Sequence, residues 1–327
     1  MASLSKDQIL KTIRQSPRVP APSQTVSRIL SLTQNPDCNL TAVAELIQRD
    51  GALTVQLLRQ ANSSLYATAH ATSSVKDACV RLGIKRVRAA IINDHVVSGL
   101  GKACPPGFDA SKYWQSALAT SVAARDLCSK LMPSAAEDAG TAGLLCDIGI
   151  GLLAYGISND YKPVLSELGG SLTPMIERIE RRVIGVTHSE VGSAILADWK
   201  LDPSVINAVR CHHEADSDLD GQENEVKFCR IVSAAVTCSE LALFGTEMEA
   251  VDRLFKQVGA LCPNPDEVVG ALLDQLVVHI QQIAEGLAVE LGSTDDLASN
   301  LQSVIGESAQ SGVSMFFKPM SRSLFES

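Results

Sequence analysis

The chain of 327 residues has few aromatic residues, 4% of the total, although 46% of it is hydrophobic. Aliphatic side chains and alanine must therefore fill most of the core, and these residues suit helices better than sheets. No run of alternating apolar and polar residues and no repeat of fixed period stands out. The sequence therefore predicts an all-α protein that is long enough to bury a sizeable core.

Cysteine pairs of the metal-binding type are also missing. The chain has nine cysteines, an odd number, and no two of them are spaced as Cys-x-x-Cys. A scattered, odd set argues against a disulfide framework and against a cysteine-based zinc site. We expect free thiols in a reducing compartment.

Long apolar runs and broad positive charge are absent as well. No stretch reaches the roughly 18 uninterrupted apolar residues of a membrane span, and residues 1–18 lack the apolar segment of a signal peptide. The formal net charge of −9 provides no broad electrostatic surface for nucleic acid or an anionic membrane. We therefore expect a cytoplasmic protein with neither kind of partner.

Local signals divide the chain into helices. Thr187 and Glu190 have the spacing of a capping box, which places His188 in the first turn of a helix. Gly83 is suited to end a helix in the left-handed conformation. The apolar pattern predicts one helix over about 135–155 and a last helix over about 295–305.

An aspartate lies in the middle of a strongly apolar stretch, residues 142–154. Burying the Asp147 carboxylate costs free energy unless a polar group pairs with it. Suitable partners lie on separate apolar helices further along the chain, at His188 and at the doublet His212-His213. We expect the acid and the histidines to meet inside the helical core.

Short motifs follow one another in a fixed order between residues 15 and 245. They are Pro20-x-Pro22-x-x-Thr25-Val26, Glu45-Leu46-Ile47-x-x-Asp50, Leu57-Leu58-x-x-Ala61-Asn62-Ser63, Ser74-Val75, Leu82-Gly83, Trp114-x-Ser116, Gly143-Leu144-Leu145-x-Asp147-Ile148-Gly149, His188-x-Glu190-Val191-Gly192 and Trp199-x-Leu201, followed by Ile206 and His212-His213. In this order and spacing the chain resembles the HDOD domain, the HD-related output domain of bacterial signalling proteins.

The resemblance implies an all-α, multi-helix bundle of the HD-superfamily type over residues 15–245. Residues 1–14 would add an N-terminal helix, and residues 246–307 a helical C-terminal extension. Residues 308–327 are rich in serine and are predicted to be disordered. Within this tail, Phe316 and Phe317 form an apolar cluster that could dock on a partner or on the core.

The wider HD superfamily contains metal-dependent phosphohydrolases. Their imidazoles and carboxylates hold divalent ions that turn a bound water into hydroxide and stabilise the phosphate in the transition state. When this ligand set is carried over, the matching positions are Asp147, His188, His212 and His213. Gln115 and Cys146 stand where the family pattern has histidines, and Val236 where it has an aspartate.

The loss of three ligand positions favours a regulatory module without catalytic activity or cofactor, which acts by binding signalling proteins. A small nucleotide-like ligand could occupy the vestigial pocket formed by Gln115, Cys146, Asp147, His188, His212 and His213. The alternative is a divergent metal-dependent phosphohydrolase of nucleotides or cyclic nucleotides. No metal is expected, but if one binds, its ligands would come from Asp147, His188, His212, His213 and Cys146.

A small basic cluster, Lys85-Arg86-x-Arg88, follows Gly83. It could bind a phosphate at the start of a helix. We favour the interpretation that it is a solvated helix face.

Overall fold

The computed structural model describes residues 4–19, 21–35, 38–63, 66, 70–100, 105–169, 175–214, 221–245, 248–287, 289 and 294–311. These residues form helices joined by short turns and contain no strand, which confirms the predicted all-α class. In chain order the α-helices are α1 Lys6–Gln15, α2 Gln24–Thr33, α3 Leu40–Gln48, α4 Gly51–Ala61, α5 Val75–Leu100, α6 Ala110–Leu131, α7 Ala136–Leu145, α8 Ile148–Gly156, α9 Ser158–Leu168, α10 Ile176–Val183, α11 His188–Asp198, α12 Pro203–Cys211, α13 Glu223–Phe244, α14 Met248–Gly259, α15 Pro265–Leu287 and α16 Asp295–Ser311.

Side-chain caps set the helix starts that the sequence predicts. The Ser23 hydroxyl accepts a hydrogen bond from the Val26 amide at the start of α2, and Asp50 caps α4. Helix α5 is interrupted at Gly83, whose φ of 75° and ψ of 165° are accessible almost only to glycine. The predicted break at Gly83 is therefore confirmed. The two helical segments follow each other directly, with a kink at this residue.

The prediction of a single helix over 135–155 is wrong. Helix α7 ends at Leu145 and α8 begins at Ile148, because Asp147 leaves the helical conformation with φ −93° and ψ 9°. Helix α8 then packs on the start of α11 without room for a side chain at Gly149. A Cβ atom on Gly149 would lie 1.9 Å from the His188 carbonyl oxygen. The break turns the aspartate toward the helix that carries His188.

The helices of the C-terminal extension pack on the rest of the bundle. Helix α14 packs on α13, and α15 packs on α6, where His279 Nδ1 lies 2.6 Å from Asp126 Oδ2. Helix α16 runs to Ser311, beyond the predicted end near residue 305. Residues 312–327, with Phe316 and Phe317, lie outside the described residues.

One helical stretch, Pro133–Gly156, is long and apolar enough to cross a membrane by length and composition alone. However, 89% of the most apolar 18-residue segment of this stretch is buried inside the bundle. The stretch contains α7 and α8, so its composition is that of a core segment.

The basic cluster Lys85-Arg86-x-Arg88, which follows Gly83 in α5, forms ion pairs with carboxylates. Arg86 Nε lies 2.8 Å from Glu137 Oε1, and Lys85 Nζ lies 3.1 Å from Asp138 Oδ2. Arg88 lies between Asp138 and Asp202, at 3.5 and 3.6 Å. These ion pairs join α5 to neighbouring helices and weaken the interpretation that the cluster binds phosphate.

Candidate functional site

Three separate breaks in the helical bundle bring the predicted polar residues together. Asp147 lies in the turn between α7 and α8, His188 is the first residue of α11, and His212 and His213 directly follow α12. One ligand atom from each of the four side chains lies within 4.8 Å of the others. The structure thus forms the predicted acid–histidine cluster, defined here as Asp147, His188, His212 and His213.

The end of α12 at Cys211 explains how both neighbouring histidines reach the cluster. Successive residues inside a helix point about 100° apart, but His212 and His213 lie in the turn beyond it. Their ring centroids are 4.1 Å apart. His212 Nδ1 lies 2.7 Å from the Val209 carbonyl oxygen, so in the neutral ring the proton is on Nδ1 and Nε2 offers a lone pair to the cluster.

A buried carboxylate on α10 holds His188 in place. Glu180 Oε2 accepts hydrogen bonds from the His188 backbone amide at 2.7 Å and from His188 Nδ1 at 2.8 Å. The Tyr161 hydroxyl donates to the other Glu180 oxygen at 2.6 Å. With Nδ1 committed to Glu180, Nε2 of His188 faces Asp147 Oδ1 at 3.5 Å and His212 Nε2 at 3.3 Å.

The surroundings shift the protonation of the cluster. Burial by itself lowers the pKa of His188. The carboxylates of Glu180 and Asp147 raise it by more, so the pKa is about 9. Burial raises the pKa of Asp147, yet interactions with His212, His188 and Ser116 outweigh it and leave this pKa below its usual value. Burial, followed by the neighbouring His212, lowers the pKa of His213 well below its ordinary value. At neutral pH the cluster therefore contains a His188–Asp147 ion pair beside a neutral His213.

The spacing of three donor atoms also fits one metal ion. His188 Nε2, His212 Nε2 and Asp147 Oδ1 are separated by 3.3, 3.5 and 3.7 Å. Ligands at about 2.0–2.1 Å from a tetrahedral ion lie about 3.4 Å from one another. Nε2 of His188 can thus carry either a proton or a metal ion, and metal binding would release that proton.

Two of the six predicted pocket residues, Gln115 and Cys146, lie outside the four-residue acid–histidine cluster. Cys146 is buried near Cys211, and burial raises the pKa of its thiol well above the usual range. Gln115 lies on α6 with intermediate exposure, next to Ser116, whose hydroxyl is 3.5 Å from Asp147 Oδ2. Val236, on α13, lines an open pocket beside the histidine doublet.

Glu180 and Tyr161 were not predicted from the sequence. A signal for Glu180 was present, because Ile176, Glu180 and Val183 share one face of α10 at helical spacing. An acid on an apolar face indicates a buried partner. Tyr161 gave no comparable signal, since a tyrosine on an apolar helix face is common in cores.

Comparisons with known proteins identify the domain that contains the cluster. Residues 19–215 match the family model of the HDOD domain. A curated relative, an uncharacterised protein of Treponema pallidum strain Nichols, is 25% identical over 212 residues. That match covers 63% of this chain but only 39% of the relative's length.

Solved structures share the fold at low sequence identity. An HDOD domain protein with unknown function from Geobacter sulfurreducens has a TM-score of 0.68 and 21% identity, over 86% of this chain and 99% of that one. A provisionally named phosphohydrolase from Shewanella amazonensis SB2B has a TM-score of 0.63 and 21% identity, over 90% and 97%. A provisionally named signal transduction protein from Marinobacter aquaeolei VT8 has a TM-score of 0.60 and 23% identity, over 86% and 65%. Because the family model matches more than half of the chain, over residues 19–215, this chain belongs to the HDOD domain family.

Proposed function

We propose that this chain is a non-catalytic regulatory module of signal transduction that acts by binding protein partners. The observation that carries the proposal is the incomplete ligand set. Gln115 and Cys146 replace two histidines of the family pattern, and Cys146 is buried away from the donor atoms. Val236 presents a hydrocarbon at the pocket wall where the pattern has an aspartate.

The remaining polar residues have a sufficient structural role without chemistry. Asp147, His188 and Glu180 connect the turn before α8 to α10 and α11 through buried ion pairs. Breaking such a pair is costly because one charge is left uncompensated in the interior. A buried network of this kind holds several helices in one arrangement, which a binding surface for another protein requires.

The names of the structural relatives suggest two different functions, signal transduction and phosphate-ester hydrolysis. The Marinobacter aquaeolei protein carries a provisional signal-transduction name, which agrees with a regulatory role. The Shewanella amazonensis protein carries a provisional phosphohydrolase name. Since both likenesses establish the fold alone, the choice rests on the residues of this chain.

Turnover distinguishes the two functions. The protein is purified without chelator and supplied in turn with Mn²⁺, Fe²⁺ and Zn²⁺. Phosphate release from ATP, and nitrophenol release from bis(p-nitrophenyl) phosphate, are compared between the wild type and Asp147→Ala. The regulatory function predicts equal background rates in the two proteins, whereas metal-dependent hydrolysis that disappears in Asp147→Ala would refute it.

Partner binding is tested separately. The full chain is cross-linked in its native host and captured, with a heat-unfolded sample of the same chain as the background. The proposal predicts enrichment of defined signalling proteins whose binding is reproduced with purified components. Failure of every enriched protein to bind in purified form would contradict it.

The second candidate function, a divergent metal-dependent phosphohydrolase, is favoured by the 3.3–3.7 Å spacing of the three donor atoms. Asp147, His188 and His212 would hold the ion, and Glu180 would orient His188 as a carboxylate behind a metal ligand commonly does. A bound divalent ion would supply an acidified water and charge stabilisation for a phosphoryl group. Stoichiometric metal in the purified protein, together with turnover that depends on Asp147, would establish this function.

A further inference from the structure

A pocket of about 840 Å³ opens beside the histidine doublet, between α10, α13 and α14. This volume lies within the range of about 300–1,000 Å³ that is typical of small-molecule sites. Its lining residues come from both sides of the family boundary at residue 215. Helix α10 contributes Glu177, Arg178 and Arg181, and α14 contributes Arg253, Lys256 and Gln257.

The pocket is lined by four cationic side chains and three carboxylates, although the chain as a whole has a net charge of −9. Two of its three carboxylates are paired with arginines, and the third, Glu177, is bound by a neutral hydroxyl. Glu177 accepts a hydrogen bond from the Ser189 hydroxyl, Glu214 pairs with Arg210 at 2.9 Å, and Glu240 pairs with Arg253 at 2.5 Å.

Two of the lining cations remain uncommitted. Arg178, on α10, and Lys256, on α14, form no ion pair with another described residue. They line the pocket from two helices on different sides of the family boundary. The local excess of positive charge would favour an anionic ligand.

Two buried polar atoms on the pocket wall lack a partner among the described residues. They are Nε2 of His213 and Oε1 of Gln257. The Gln257 amide is held in place because its Nε2 donates to the Ser233 hydroxyl at 3.2 Å. Buried polar atoms are nearly always hydrogen-bonded in folded proteins, so these two indicate an additional group that would complete them.

We propose that this pocket binds a phosphorylated small molecule of nucleotide size without hydrolysing it. Arg178 and Lys256 would bind its phosphate groups, since guanidinium and ammonium groups are the usual protein donors to phosphate. His213 and Gln257 would hydrogen-bond its polar uncharged part, beside the apolar wall at Val236. The inference rests on the proposed function, because it supplies the signal that a non-catalytic module would report.

The position of the pocket indicates what the ligand would change. Arg178 belongs to the HDOD core, whereas Lys256 and Gln257 belong to α14 of the extension. A ligand that contacts both sides stabilises one placement of α14 against the core. Binding of this ligand is thus coupled to the surface that the extension presents to partners.

The experiment is isothermal titration of the full chain with ATP and with inorganic pyrophosphate, both in EDTA so that no divalent metal takes part. Wild type is compared with the double variant Arg178→Gln/Lys256→Gln. The matched control is Arg28→Gln/Lys76→Gln, which removes the same charges from exposed positions on α2 and α5 outside the pocket. Thermal unfolding of each variant verifies the fold.

We expect saturable binding that is weakened at least about tenfold in the pocket variant and little changed in the control. Equal affinity for pyrophosphate and ATP supports recognition of the phosphates alone, and stronger ATP binding adds recognition of the nucleoside. Absence of binding by both probes at millimolar concentration overturns the inference. Binding that is unchanged in the pocket variant, or weakened equally in the control, overturns it as well.

The failure of this inference can be told apart from that of the proposed function. Phosphate release from ATP is followed after metal is added back to the same samples. Release that depends on Asp147 would refute the non-catalytic function even where binding is found. Absence of both binding and release would refute the ligand while leaving the partner-binding function in place.

Discussion

One oxygen of Glu180 accepts two hydrogen bonds from His188, at 2.7 Å from the backbone amide and at 2.8 Å from Nδ1. This contact fixes both the start of α11 and the orientation of the imidazole ring. It also determines which ring nitrogen faces Asp147 and His212. The behaviour of the whole cluster therefore depends on an acid that lies outside it.

Replacing Glu180 should destabilise the fold strongly. In Glu180→Gln the buried, protonated His188 loses its closest counter-charge, and we expect a loss of about 3 kcal/mol in the free energy of unfolding. Urea unfolding at pH 7 measures this loss. Glu167→Gln is the control, because it removes a carboxylate from an exposed ion pair with Arg182 and should cost less than about 1 kcal/mol. Equal losses in the two variants would contradict the role assigned to Glu180.

Stability should fall as the pH rises from about 6.5 to 9. The pKa of His188 is raised from 6.5 to about 9 in the folded state, so its charged form stabilises the protein fully below 6.5. As the pH passes through the folded value, that contribution, roughly 3 kcal/mol, is lost. Urea unfolding between pH 6 and pH 10 should show this slope. A slope of the same size in His188→Gln would assign it to other groups.

A methyl group at Gly149 should be far less tolerable than one at Gly51. A Cβ on Gly149 would lie 1.9 Å from the His188 carbonyl oxygen, so helix α8 must move away from α11. We expect Gly149→Ala to lose more than about 3 kcal/mol. A Cβ on Gly51 meets nothing within 4 Å, and Gly51→Ala should be neutral or stabilising by up to about 1 kcal/mol. Thermal unfolding of the two variants tests the contrast.

Restoring an acid at position 236 should increase metal retention. Val236 lines the pocket beside His212 and His213, so Val236→Asp would add an oxygen ligand near the donor atoms. Elemental analysis after dialysis against Zn²⁺ should find more bound metal in this variant than in wild type. Val278→Asp, which changes an exposed valine on α15, is the control and should match wild type. Equal metal content in all three proteins would show that position 236 cannot complete the site.

Features that depend on neighbouring residues were predictable from the sequence. The Thr187 and Glu190 side chains form the expected capping box, and Gly83 breaks α5 where expected. The burial of Asp147 with histidines also followed from simple electrostatics, because an acid in an apolar segment needs partners. Such signals are local or depend on composition alone.

Features imposed by tertiary contacts were not predictable. No glycine or proline lies within the three residues before Asp147, and the break there accompanies the close packing of α8 on α11. The link between His188 and Glu180 depends on how α10 meets α11. Arg178 and Lys256 are far apart in sequence and share a pocket only through the fold. In each case the information lies in pairs of distant residues.

The family match ends at residue 215, but α6 inside the matched region packs on α13 and α15 beyond it. The Ser239 hydroxyl donates to the Ser116 carbonyl, and His279 contacts Asp126. A gene fragment that stops at the recognisable boundary would therefore yield a chain with an uncovered helix face, prone to aggregate. The helices beyond residue 215 thus complete the packing around α6 and belong in any fragment that is meant to fold.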